Sequence, residues 1–197
     1  MTHEHQLGPM AHRDRFDGDF ESVLAAARTG SARAQERIFI ALAPVVQGYL
    51  RLQGASEPED LTSEVFLAVL RNLGSFDGDE PGFRSWVFTI AHRRLLDERR
   101  RAVRRPAAAP LDEAPELPAR DDVERTVVEA LGVEQVRRLC ERLSDDQRDV
   151  LLMRLLGRLT VDEVATLMDR TTGSVKALQR RGLLAISRMI EREGVPL

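Results

Sequence analysis

Cysteine is almost absent: Cys140 is the only one in 197 residues, so no disulfide can close within the chain and no zinc site can be built from thiolates. It is expected in the core. Lysine is as scarce, with Lys176 alone among the 29 basic residues and arginine supplying the rest. Aromatics make up only 5% of the chain while hydrophobic residues make up 43%, so the core must be packed from Ala, Leu, Val and Ile, which favours helix on helix over a sheet. No apolar run approaches the roughly 18 residues of a membrane span, and the N-terminus lacks the charged-then-apolar order of a signal peptide. A cytoplasmic chain without membrane insertion is therefore expected. There is no Gly-rich phosphate loop, no metal-ligand spacing and no nucleophile beside a base, so neither an enzyme nor a cofactor is expected. His3, Glu4, His5 and His12 fall in a polar tail, residues 1–17, expected to be disordered, where such a cluster is compositional rather than a metal site.

What the chain does contain is charge sorted by segment. The net charge of −3 hides an acidic stretch from Ala55 to Glu80, net −6, and a basic one from Arg84 to Arg105, net +6. A third segment, Asp112 to Glu124, is net −5. Charge read by segment says more about partners than the total does, and one part of this molecule suits phosphates while another does not.

The apolar periodicity is that of helices. Phe20, Val23, Leu24 and Ala27 form a short amphipathic helix ending at Gly30, and Ser31 opens a longer one in which Ile38, Ile40, Leu42, Val45, Val46, Tyr49, Leu50 and Leu52 are dense enough for the centre of a bundle. Pro44 is expected to kink or divide it. Ser56 with Glu59 has the spacing of a capping box, with Pro58 in the first turn, before a third helix that buries Leu61, Val65, Ala68 and Val69. Its acids Glu57, Asp60 and Glu64 line another face, where favouring the helix dipole would alone account for them. Residues 74–82 are rich in breakers and are expected to be irregular. A fourth helix then presents Phe83, Trp86, Val87, Ile90, Ala91 and Leu95 on its apolar side, with Trp86 read as core. Arg84, His92, Arg93, Arg99, Arg100 and Arg101 on the other side could track a nucleic-acid backbone or form a solvated surface.

From 104 to 122 the period gives way to four prolines, the composition of a semi-rigid linker. Beyond it a helix over about Val123–Arg142 carries Val127, Leu131, Val136 and Leu139. Ser144 and Gln147 cap the next, with Val150, Leu151, Met153, Leu155 and Leu156 buried before Gly157 stops it. Thr160 and Glu163 make another capping box, and Val161, Val164, Ala165 and Met168 share one face. Asp169 can take the left-handed turn position, Thr171 or Thr172 can cap the last helix, and that helix starts near Gly173. There Val175, Leu178, Gly182, Ile186 and Met189 face inward, leaving Gly173, Lys176, Ala177, Arg180 and Arg181 outward. Two helices joined by so short a turn form a helix-turn-helix pattern. The expected fold is all-α: two small helical domains, residues 18–103 and 123–192, joined by a Pro-rich linker over 104–122, the second containing the helix-turn-helix.

The strings EDLTSEVFLAVLRNLGSFDG, FRSWVFTIAHRRLLDERRR and LSDDQRDVLLMRLLGRLTVDEVATLMDRTTGSVKALQRR, in that order, resemble a sigma factor of bacterial RNA polymerase, in its extracytoplasmic-function group. The resemblance implies promoter-specific transcription initiation. It places Asp60, Leu61, Glu64, Val65 and Phe66 on the beta-prime clamp helices of core polymerase. The loop holding Phe76 and Asp77, and the helix carrying Arg84, His92, Arg93, Arg99 and Arg100, stand where the family opens the minus-ten element. Gly173, Ser174, Lys176, Ala177, Arg180 and Arg181 stand where it reads the minus-thirty-five element. Other implied partners are the beta flap, promoter DNA and an anti-sigma factor. Arg93 stands where Asn is common and Leu178-Gln179 where Arg-Leu is usual, so no promoter sequence is carried over. The competing reading is a stand-alone helix-turn-helix regulator with a helical sensor domain, which accounts only for the C-terminal third.

Overall fold

A computed structural model describes residues 16, 18–104 and 135–193, and among these every regular element is a helix. The His-containing tail, the linker and the part of the expected Val123–Arg142 helix before residue 135 lie outside the described residues. The N-terminal unit consists of α1 (Phe20–Arg28), α2 (Ala32–Leu52), α3 (Pro58–Asn72), a 3-10 turn (Leu73–Ser75) and α4 (Glu80–Arg104). The C-terminal unit consists of α5 (residues 135–141), α6 (Asp145–Leu155), α7 (Val161–Leu167) and α8 (Thr172–Glu193).

Local signals set most of the boundaries. Gly30, at φ +88, ends α1, and the Ser31 hydroxyl accepts from Ala34 N to start α2. Ser144 with Gln147, and Thr160 with Glu163, both form reciprocal capping boxes, each satisfying backbone N–H groups that the helix cannot reach. Asp169 takes φ +51, and Thr171 is the residue that caps α8, accepting from Ser174 N at 3.2 Å.

Other expectations are overridden. Pro44 does not divide its helix into two elements; α2 runs through it. Ser56 does not cap α3: its backbone N–H and hydroxyl both donate to Glu98 of α4, while Glu59 accepts from Gln47 and Arg51. A tertiary carboxylate has displaced the local one. Residues 74–82 are more ordered than their composition suggests. Ser75 closes the 3-10 turn, α4 begins at Glu80, and the Asp79 carboxylate accepts from Gly82 N at 2.9 Å as its N-cap. Phe16, expected in the tail, is buried and stacks edge-on against Phe20. Val136, Leu155 and Ile40, expected in the core, are exposed, while Leu152 is buried.

One apolar core runs through both units, joining Val65, Val69, Val87, Phe88 and Leu95 to Val150, Leu152, Met153, Leu159, Val164 and Val175. A second, small cluster of Leu143, Leu151 and Met189 closes the far side of the C-terminal unit. Within that unit α8 crosses α6 closely at Gly182, where a Cβ would lie 2.8 Å from Leu151 Cδ1.

Candidate nucleic-acid interface

The helix-turn-helix is built from α7, a four-residue turn and α8. Val164 and Val175 are fully buried, and Ala165 and Leu178 nearly so, which fixes the rotation of α8 about its axis. With that rotation set, Gly173, Lys176, Ala177, Arg180 and Arg181 are exposed or nearly so and Ser174 is half-buried. The residues expected on the outer face thus stand clear of the unit's core. The turn is braced from outside, where Arg170 donates to Asp146 at 2.7 Å and its backbone N–H returns to Ala165 O at 2.9 Å.

The acidic helix divides its expected residues. Asp60 and Glu64 are exposed, with Glu64 4.0 Å from Arg94. Leu61, Val65 and Phe66 are 7%, 0% and 3% exposed and belong to the core. These three are not available to a partner in this conformation; the α3 stripe seen in the apolar period takes Leu61 and Val65, and Phe66 is buried beside it. The residue missed here is Leu67, exposed at 53%, which shares α3 with the two acids. Phe39 on α2 is exposed as well and packs its ring edge-on against Phe66 at 4.9 Å. An apolar side chain on an otherwise charged face was the signal that could have identified Leu67.

The loop and basic helix are arranged differently from expectation. Phe76 does not stand free to hold a base. It is 7% exposed, stacked within 5.1 Å of Phe83 and 5.3 Å of Trp86, and its carbonyl accepts from Arg28. Asp77 beside it is exposed. Trp86 is half-buried, packing on the core as its periodicity indicates. His92 is 2% exposed, with Nδ1 2.9 Å from the Tyr49 hydroxyl. Burial, reinforced by Arg99, lowers its pKa to about 4, so at neutral pH it is an uncharged core group and not a phosphate contact. Arg93 and Arg100 are exposed.

Arg84 and Arg99 are engaged by the other unit. Arg84 donates through Nε and Nη2 to Leu156 O at 3.1 and 2.6 Å and lies over the Phe88 ring. Arg99 donates to Gln53 O at 2.8 Å and lies 3.8 Å from the Asp149 carboxylate, whose side chain is only 10% exposed. Burial raises the Asp149 pKa, with Arg99 opposing the shift. Residues 84, 88, 92 and 99 fall along one side of α4, a second, buried or half-buried stripe that the single-face reading of the helix did not contain.

Two sequence models match the chain: Sigma-70 region 2 over residues 39–105 and Sigma-70, region 4 over residues 133–186. Among the relatives is the ECF RNA polymerase sigma factor BldN of Streptomyces coelicolor, 29% identical over 174 residues, which are 85% of this chain and 64% of BldN. Another is the ECF RNA polymerase sigma factor ShbA of Streptomyces griseus, 29% identical over 183 residues, 87% of this chain and 95% of ShbA. The chain therefore spans just under two thirds of the first relative and nearly all of the second. A solved structure of CnrH in complex with the cytosolic domain of CnrY has the same fold, with a TM-score of 0.60 at 20% identity, covering 87% of this chain and 96% of CnrH. The acidic helix, breaker loop and basic helix thus fall in region 2 and the helix-turn-helix in region 4, and the chain belongs to the sigma-70 family, in its extracytoplasmic-function group.

Proposed function

We propose that the chain binds RNA polymerase core and directs it to specific promoters, with residues 18–103 docking on core and opening the minus-ten element and residues 123–192 reading the minus-thirty-five element. The observation that carries the reading is the outer face of α8. Lys176, Ala177, Arg180 and Arg181 face outward on a helix whose partner α7 is held at a four-residue turn, the geometry that lets a helix enter the major groove. Small and basic side chains there can reach base edges and phosphates without steric conflict.

Docking on core falls to the exposed part of α3: Asp60, Glu64 and, beside them, Leu67. Acids around one apolar side chain suit a basic helical partner, the apolar group supplying contact area and the charges steering encounter. Melting falls to the exposed arginines of α4, Arg93 and Arg100 in the first place, which can hold a separated backbone. An anti-sigma protein is a further partner, an assignment supported by CnrH, a protein of this fold seen bound to the cytosolic domain of CnrY. The stand-alone regulator is not favoured, because the match to Sigma-70 region 2 accounts for the N-terminal unit. The test is binding of core polymerase by the full chain carrying both Asp60→Arg and Glu64→Arg. Binding should be lost while helicity by circular dichroism is retained; unimpaired binding would remove α3 from the docking surface.

A further inference from the structure

The turn between α6 and α7 carries a residue that its backbone does not suit. Arg158 has φ +59, in the left-handed region, where a Cβ crowds the following carbonyl and glycine alone is at ease. Among the described residues the other non-glycine in that region is Asp169, whose short polar side chain tolerates it. A long side chain such as arginine is an outlier there.

The conformation is imposed from both sides. Gly157 N–H donates to Leu152 O at 3.3 Å and Leu159 N–H to Met153 O at 3.2 Å. Arg154 donates to the Leu159 carbonyl, and the Leu159 side chain is fully buried. The turn does hold a glycine, but one residue early. Gly157 has no left-handed φ and serves close packing, since a Cβ there would lie 2.7 Å from Met153 O. Position 158 thus calls for glycine and carries arginine.

Nothing within the fold accounts for that choice. The Arg158 side chain is exposed and makes no hydrogen bond or ion pair among the described residues; Asp162, the nearest acid along the chain, leaves it unpaired. Strained residues held in place by their surroundings cluster where a ligand is bound, and the position of this one says which ligand. Arg158 stands two residues before Thr160, the N-cap of α7. When the second helix of a helix-turn-helix lies in the major groove, the first crosses the sugar-phosphate backbone.

We propose that Arg158 is a phosphate anchor, a guanidinium carried on the turn before α7 that grips the duplex backbone while α8 lies in the groove. This rests on the reading of α8 as the groove helix. The contact fixes the register of the unit on DNA and carries no sequence information of its own.

The test uses holoenzyme reconstituted from core polymerase and the full chain. It is titrated, at several salt concentrations, with fluorescent duplexes that the parent holoenzyme selects from a promoter library. Arg158→Gly and Arg158→Ala should each weaken binding about threefold or more, by one common factor on every duplex, and reduce the salt slope by about one unit, the loss of one phosphate contact. Arg158→Lys, which keeps the charge, should retain most of the affinity and the slope. Thermal melting of the free chain separates anchoring from a structural role: Arg158→Gly, relieved of its Cβ, should melt no lower than the parent although it binds DNA more weakly. Unchanged affinity and slope in Arg158→Gly overturn the proposal. A lower melting temperature in Arg158→Gly overturns it as well, by making the side chain part of the fold, and so does a loss confined to affinity for core polymerase. Lys176→Ala with Arg180→Ala tests the underlying reading. If that double variant weakens binding and Arg158→Gly does not, the anchor alone fails; if neither does, the groove reading of α8 falls with it.

Discussion

His92 shows how one side chain can change meaning between pattern and packing. By position it belongs to a basic face; in the folded chain it is buried beside Tyr49, whose ring stacks on Phe88 at 5.3 Å. With its pKa lowered to about 4 from an ordinary 6.5, the folded state binds fewer protons than the unfolded state between those values. Its contribution to stability is therefore whole above about pH 6.5 and lost as pH falls through 4, by up to about 3 kcal/mol. Asp149 acts in the opposite sense, since its raised pKa makes the folded state hold more protons in its own window. The His92 contribution is read as a difference: chemical denaturation at pH 7, 6, 5 and 4.5 should show the parent losing more stability than His92→Gln, which keeps a hydrogen-bonding group near Tyr49 but does not titrate. Parallel curves would mean that the imidazole takes up its proton in the folded protein as readily as in the unfolded one.

At the scale of the element, α8 was the most legible part of the chain. Val175 and Leu178 are buried at helical spacing, so the outward directions of Lys176, Arg180 and Arg181 result from the 100° turn per residue. Arg180 points most directly away, and the other two flank it. Arg181→Ala is expected to cost about 1–3 kcal/mol and to relax discrimination at one upstream base pair, the loss of a base-edge contact. Lys176→Ala should weaken all promoters alike and reduce the salt slope by about one unit, the loss of one phosphate contact. Transcription from a promoter library at two salt concentrations separates the two; a common factor for both variants would assign α8 to anchoring alone. By contrast α4 misled, because it buries two sides. One packs Phe83, Val87, Ala91 and Leu95 into its own unit, while the other, bearing Arg84, Phe88, His92 and Arg99, meets its own α2 or the C-terminal unit. A charged residue can bury its stem, or its whole fork, when the partner carbonyl comes from far along the chain.

For the molecule as a whole, the shared core has a thermodynamic consequence. Because Phe88 and Val87 lie in one apolar cluster with Leu152, Met153 and Leu159, the two units should unfold together in a single calorimetric transition at neutral pH. Gly157→Ala would set a Cβ 2.7 Å from Met153 O and 2.6 Å from Leu159 Cδ1 as well as against Phe88. Overpacking of this kind costs about 1–3 kcal/mol, and the variant's melting temperature should fall accordingly. Two resolved transitions in the parent would show that the apolar contact between units is too weak to couple them.

The sequence by itself determined the all-helical architecture, the two-unit division, the capping boxes at Ser144 and Thr160, the left-handed Asp169 and the outer face of α8. Each of the local features depends on residues within about four positions of one another, where spacing along the chain is also spacing in space. The tertiary structure decided what depends on partners far away: Glu98 taking the place of Glu59 at Ser56, Arg28 holding the Phe76 carbonyl, and Leu156 and Asp149 engaging Arg84 and Arg99. A polar side chain is silent about which distant carbonyl or carboxylate will meet it. Burial of His92 and the engagement of Arg84 and Arg99 are therefore properties of how the helices pack and not of the helix that carries them.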